Sequence, residues 1–226
     1  YSFLSLLNET SKNIITVEDP VEYRMEGINQ TAINNQAGYT FATAIRHILR
    51  HDPNVIMVGE IRDMETAEIA IRAAMTGHLV LSTLHTNTAP GAVMRLLDMR
   101  IEPFLIRSAV IAVIAQRLIR RLCPHCKKDY EPSQELLQSV AAYLPKDKPS
   151  AFAKPGAGCD KCFKTGFAGR VAIYEVLVLN EPLRNLILKN PNENDITKLA
   201  VAKGMKTLRQ AGVEKALEKV TSLEEV

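Results

Sequence analysis

Short apolar strands alternating with amphipathic helices place this chain in the α/β class: a mostly parallel sheet with flanking helices, then a cysteine-bearing region and a helical carboxyl end. Three observations predict it. β-Branched runs at residues 14–17 and 55–58 read as strands buried on both faces. Helical periods follow at residues 41–50 and 64–76. Two Cys-x-x-Cys pairs, Cys123/Cys126 and Cys159/Cys162, then end the alternation.

Composition agrees with a folded chain. With 226 residues, 46% hydrophobic and 23% charged, it can bury a core, and 11 Gly and 11 Pro are too few for a linker or a collagen-like repeat. A net charge of +3 argues by itself for neither a nucleic-acid nor a membrane partner. The longest apolar stretch, residues 109–115, lies between Arg107 and Arg117, far short of the ~18 residues of a membrane span. The opening Tyr1-Ser2-Phe3-Leu4 lacks the charged region of a signal peptide, so a cytosolic setting is expected.

In chain order, residues 1–7 read as the end of an apolar helix and 14–17 as a strand ending on Glu18-Asp19-Pro20. The helix at 41–50 has Phe41, Ala44, Ile45, Ile48 and Leu49 on one face and stops before Pro53. Strand 55–58 delivers Gly59 and Glu60. Helix 64–76 turns Met64, Ala67, Ile71, Ala74 and Met75 to one side and ends at Gly77, a C-terminal cap. A third strand is expected at 78–84 and helices at 89–99 and 104–122, the last apolar enough to be mostly buried. Beyond the first Cys pair comes a Pro- and Lys-bearing stretch at 145–149, then a strand at 170–179 and helices near 182–188, 195–203 and 207–219.

In parallel sheets chemistry collects at the carboxyl ends of the strands, where Glu18, Asp19, Glu60 and His85 fall. An acid closing a buried strand, as Glu60 does, can polarise a water or support Mg²⁺ beside a phosphate; a solvated loop glutamate has the same local sequence. Glu18, Asp19 and Glu22 put three carboxylates within five residues, a costly repulsion unless a cation or arginine shares the site, or else a solvated turn. His85 and Asn87 can sense a phosphate by hydrogen bonding, whereas His78 alone reads better as a satisfied histidine at a strand start.

Each Cys-x-x-Cys knuckle lets two thiolates reach one ion, and two knuckles complete an S₄ set suited to Zn²⁺. Four sulfurs leave no open coordination position, so the expected role is structural. The 32 residues between the knuckles exceed usual zinc-ribbon spacing and must leave from one side as an insertion.

Thr16-Val17-Glu18-Asp19-Pro20-Val21-Glu22-Tyr23, then Val58-Gly59-Glu60-Ile61-Arg62-Asp63, then the block from Thr76 through His78 and His85 to Asn87, resemble the aspartate box, Walker B element and histidine box of the secretion ATPases. These are hexameric motors of type II secretion, type IV pilus assembly and competence systems. The resemblance extends to Ala115-Gln116-Arg117-Leu118, the four cysteines, Gly169 to Glu175 and Gly204 to Leu208, almost the whole chain. It implies a RecA-like sheet at 1–122, a zinc-binding subdomain at 123–168 and a carboxyl-terminal strand and helical region at 169–226. It implies that Glu60 activates the attacking water, that Glu18 and Asp19 act through Mg²⁺ with Glu22 in support, and that His78 and His85 link phosphate state to movement. Arg62 would contact nucleotide, and Arg117, Arg120 and Arg121 become candidates for phosphate or cross-subunit contacts; cations at a solvated helix end read the same way. ATP, Mg²⁺, identical subunits in a hexamer and the cytoplasmic face of an inner-membrane platform would be its partners, and nucleic acid would not. The four cysteines resemble assembly and secretion members rather than retraction motors.

Two readings from other classes fit less well. A zinc-ribbon module for nucleic acid wants a basic stripe with stacking aromatics, but Lys127 and Lys128 adjoin Asp129 and Glu131 and the chain has no Trp. A zinc hydrolase needs an open metal site and a His-Glu-x-x-His helix, which the sequence lacks.

The sequence departs from the family pattern at His51 and Asn54, where Gln and Asp are usual, and at Arg100, where Gly is. The larger departure is that no Gly-x-x-x-x-Gly-Lys-Ser/Thr loop occurs in it. The chain therefore resembles the carboxyl-terminal part of a longer protein, its sheet incomplete at the amino end. That loop supplies most of the phosphate grip, so residues 1–226 alone are expected to bind ATP poorly and hydrolyse it negligibly. Appreciable turnover of ATP by the purified 226-residue chain, measured as phosphate release, overturns this expectation.

Overall fold

The computed structural model describes residues 1–145 and 151–226; of the stretch at 145–149, only Pro145 falls among them. The chain separates into two compact units, residues Tyr1–Ile111 with Leu179–Leu199, and residues Ala112–Val178 with Ala200–Val226.

The first unit opens with helix α1 (Ser2–Leu7), strand β1 (Ile14–Glu18) and strand β2 (Asn29–Ala32). Helix α2 (Phe41–Ile48) starts where the Thr40 hydroxyl accepts the Thr43 N–H and turns Phe41, Ala44, Ile45 and Ile48 into the core. Strand β3 (Val55–Val58) leads to helix α3 (Met64–Met75), whose cap is Asp63, accepting the Thr66 N–H at 2.8 Å. The buried face of α3 is Ala67, Ala70, Ile71 and Ala73; Met64 and Met75 lie exposed at its two ends. Gly77 follows with φ 105, a backbone conformation that favours glycine, and strand β4 (Leu79–Ser82) comes next. Helices α4 (Ala89–Asp98) and α5 (Pro103–Ala109) complete this stretch. Arg100, between them, has φ 63, which explains why glycine would be at home there.

Strands β2, β1, β3 and β4 lie in that order in one sheet, every pair parallel. All five residues of β1 are buried, whereas β4, at the edge, is half-exposed. The predicted α/β class with a parallel sheet is thus the fold observed. β2 has no apolar pattern in its Asn-Gln-Thr-Ala sequence, and only pairing with β1 makes it a strand.

One predicted element is corrected. Residues 104–122 do not form a single helix: α5 stops at Ala109, and Ala112–Leu122 is an 11-residue strand, β5. Val110, Ile111, Val113, Ile114 and Ile119 are β-branched and favour extended backbone. A long antiparallel partner decides the outcome. The rest of the second unit supplies it: strand β6 (Lys128–Tyr130), helix α6 (Gln134–Val140), strand β7 (Phe152–Lys154) and the 12-residue strand β8 (Phe167–Val178). β5 and β8 pair from Ala112 opposite Val178 to Leu122 opposite Phe167, with a register shift between Arg120 and Leu122. Arg117 and Arg120 therefore project from a strand rather than a helix end.

Helix α7 (Glu181–Ile187) returns the chain to the first unit, and α8 (Glu193–Ala202) contains the Leu199/Ala200 division. Helix α9 (Leu208–Leu217) packs on β8 and β5, and Ile119, Ile173 and Leu177, on one face of that ribbon, are buried. The opposite face leaves Ile114, Leu118, Tyr174 and Val176 exposed. A small core of Val140, Phe152, Val213, Ala216 and Leu223 ties the segment between the cysteine pairs to α9 and the chain end. Among the described residues no helix is long and apolar enough to cross a membrane.

Candidate functional site

Parallel pairing assembles the rim. Val17 of β1 lies beside Val58 of β3, and Val58 beside Ser82 of β4, so the residues leaving all three strands emerge together. The Gly59 N–H donates to the Val17 carbonyl at 2.8 Å. A side chain at residue 59 would bring its Cβ within 3.2 Å of both Glu18 Cα and the Val17 oxygen, a tight contact that would move the two loops apart by a few tenths of an ångström. On the other side, the Ile61 N–H donates to the Thr83 carbonyl at 3.0 Å and the Thr83 hydroxyl to the Gly59 carbonyl at 2.7 Å.

Within this frame Glu60, Arg62, Asp19 and His85 come together. Arg62 Nη2 donates to Glu60 Oε1 at 2.6 Å, and its Nη1 lies 3.8 Å from Asp19 Oδ2. His85 Nε2 is 3.1 Å from Glu60 Oε2. Glu60 is largely buried, while the His85 ring is 85% exposed. The Arg62 guanidinium holds the Glu60 carboxyl below the usual carboxylate range; partial burial opposes the effect and His85 adds to it. Of the three carboxylates at residues 18–22, only Asp19 lies near this guanidinium, which it shares with Glu60.

Glu18 sits differently. Only 3% exposed, it receives hydrogen bonds from Thr16 Oγ1 at 2.6 Å and Gln30 Nε2 at 3.2 Å on one oxygen, and from the Tyr1 hydroxyl on the other. Glu22 is exposed, and its N–H donates to Tyr1 Oη at 3.1 Å. Tyr1 in turn stacks on Tyr23 with ring centroids 4.4 Å apart. His78 precedes β4 and lies at the opposite end of that strand from His85. Its Nδ1 is 2.9 Å from the Ala73 carbonyl, the bonding of a satisfied histidine at a strand start. Arg117 and Arg120 belong to the second unit, where Arg120 pairs with both carboxylate oxygens of Glu225 and lies 4.1 Å from the Phe167 ring centroid.

Cys123, Cys126, Cys159 and Cys162 bring their sulfurs within 4.8 Å of one another. Sγ–Sγ separations of 3.8 Å for Cys123–Cys159 and Cys126–Cys162, and 3.7 Å for Cys159–Cys162, match the edge of a tetrahedron with its vertices ~2.3 Å from a central ion. The Cys159 and Gly166 N–H groups donate to Cys162 Sγ at 3.2 and 3.3 Å and pull that thiol down, whereas burial and the neighbouring sulfurs push the Cys126 thiol up. Glycine is required here: at Gly158, with φ +88, a Cβ would fall 2.5 Å from the Lys164 backbone.

Several of these features had no local signal. Tyr1 and Gln30 reach Glu18 across 17 and 12 residues. Thr83 directly follows β4, but its partner Gly59 is 24 positions away.

Residues 1–226 match the family described as Type II/IV secretion system protein. The chain is 50% identical over its whole length to the type IV pilus assembly ATPase PilB of Thermus thermophilus, covering 25% of that protein. It is 49% identical, again over its whole length, to the type II secretion system protein E of Pseudomonas aeruginosa, covering 44% of it. It thus spans a quarter to less than half of the length of these relatives. Among solved structures it resembles the pilus retraction motor PilT with bound ADP, with a TM-score of 0.71, 30% identity, and coverage of 99% of this chain and 54% of that one.

The rim geometry sets the behaviour of Glu60 with pH. A carboxyl held low in the folded state adds stability that is present above its ordinary range and is lost as pH falls through the folded value. Arg62→Ala is expected to raise the Glu60 titration midpoint toward the ordinary value, and His85→Ala to raise it by less, as read from side-chain carboxyl NMR shifts. An unchanged midpoint in Arg62→Ala sinks this account of the site.

Proposed function

Because the chain belongs to the Type II/IV secretion system protein family, we propose that it forms the ATP-hydrolysing segment of a hexameric motor that drives type IV pilus assembly or type II secretion. The observation that carries this reading is Glu60: a shielded carboxylate at the end of β3, held ionised by Arg62 and touched by His85. An ionised acid in that position can accept a proton from, or orient, a water attacking a phosphate. Its likeness to relatives named as ATPases supports the assignment.

In this reading Asp19 is the aspartate-box group nearest the chemistry, since it shares Arg62 with Glu60. Hard carboxylate oxygens of this kind suit Mg²⁺, which when bound neutralises charge on the phosphates. Arg62 can release the two acids to such an ion and turn to a phosphate. Glu18 acts from below, its buried hydrogen bonds fixing the backbone from which Asp19 departs; Glu22 supports that turn from its exposed side. His85, exposed and bonded to Glu60, is placed to report phosphate state, whereas His78 contributes by anchoring the α3–β4 turn. Arg117 and Arg120 are the candidates for contacts to a neighbouring subunit; for Arg120 that requires release from Glu225. Such a motor would work at the cytoplasmic face of an inner membrane, against its secretion or pilus platform.

The four cysteines would hold one structural Zn²⁺, on the support of their tetrahedral spacing and the N–H donors to Cys162. Zinc then clips the base of the segment between the knuckles to the β5–β8 ribbon and takes no part in hydrolysis.

Two measurements test these readings. In the full-length protein, Glu60→Gln should lower the ATPase kcat by about 100-fold or more while nucleotide binding persists; full activity in that variant removes the catalytic assignment. Cys159→Ser should lose bound zinc, assayed by elemental analysis, and loosen residues 120–170 in hydrogen exchange. Unchanged zinc content would refute the four-cysteine site.

A further inference from the structure

Between the end of β4 and the start of α4 run six residues, 83–88, and His85 sits in their middle. Its ring is 85% exposed, so packing does not hold it against Glu60. Its position depends on how the two ends of the loop are pinned. The first pin is Thr83, bonded through its hydroxyl and its carbonyl to the Gly59–Ile61 loop. The second is Thr88, whose hydroxyl accepts the Gly91 N–H at 3.0 Å and so caps α4, and whose carbonyl receives the Thr86 hydroxyl at 3.2 Å.

A threonine hydroxyl has one proton, and Thr88 donates it at 2.6 Å to Glu193 Oε1, 105 residues further along the chain. That length is in the range of a charge-assisted O–H···O⁻ bond. With the proton committed to Glu193, a lone pair is turned to Gly91, so the carboxylate selects the hydroxyl orientation that caps the helix. Close approach is built in: a Cβ on Gly91 would fall 2.7 Å from Thr88 Oγ1 and 3.4 Å from Glu193 Oε1. Glu193 is itself held at the start of α8, where its carbonyl receives the Thr197 hydroxyl at 2.9 Å and Asn192 Oδ1 accepts the Asp195 N–H at 3.0 Å.

We infer that Glu193 is a positioning residue for the hydrolytic site: through Thr88 it fixes the downstream end of the 83–88 loop and thereby keeps His85 in register with Glu60. The inference rests on the proposed function, because it gives His85 and Glu60 their roles. It differs from simple helix capping in one respect. A cap contributes to stability whatever His85 is, whereas a positioning residue matters to turnover only while His85 is there to be positioned.

The test is steady-state ATPase kinetics on the full-length protein. Glu193→Ala should lower kcat about fivefold, the weight of one hydrogen bond of ~1 kcal/mol, with KM for ATP unchanged. Glu193→Gln should restore it, since the amide oxygen still accepts the Thr88 proton. Thr88→Val, of similar shape but without the hydroxyl, should repeat the loss. In a His85→Ala background Glu193→Ala should add no further loss. A wild-type kcat in Glu193→Ala, or an equal loss with and without His85, overturns the inference while leaving the ATPase reading in place. Full activity in Glu60→Gln overturns both.

Discussion

The approach of two strand ends governs the rest of the site. Gly59 donates to the Val17 carbonyl, and with no Cβ of its own it lets the loop after β3 lie against the loop after β1. That contact puts Asp19 and Glu60 on one guanidinium, draws Thr83 onto the Gly59 carbonyl, and so brings the loop after β4 within reach. A side chain at residue 59 would press its Cβ on Glu18 Cα and the Val17 oxygen at 3.2 Å, so the two backbones would have to give slightly. Carboxylates from separate strands thus share a cation because a glycine keeps their backbones close.

The parts of this arrangement that depend on local pattern were legible in the sequence. β1 and β3 are continuous apolar runs because both faces are buried, and the acids that follow them mark the rim. The cysteine knuckles carry their chemistry in their spacing. Residues 104–122 failed for a physical reason. Ile114 and Leu118 are apolar yet lie on the exposed face of β5, so the in-out alternation that marks a strand is erased and the segment resembles a buried helix. β2 failed in the opposite way, being polar and formed by its neighbour. In the site, Glu18 and Asp19 are adjacent in sequence but fall to opposite sides of the chain, one into the buried Thr16–Gln30 pocket of bonds and one to Arg62. Partners of that kind, set by long-range packing, leave no trace in local composition.

The two candidate sites are ordered by different means. At the cysteines, backbone N–H groups and left-handed turns shape a cluster of four sulfurs that would repel one another as thiolates. At the rim, side chains do the work: His85 and Arg62 are the exposed members and Glu60 the shielded one.

The edge position of β4 bears on what can still cover it. A half-exposed strand at the border of a parallel sheet offers unpaired amides to any extended segment, and the β5–β8 ribbon adds an uncovered face of Ile114, Leu118, Tyr174 and Val176. Both are surfaces that a further strand or an apolar face can cover.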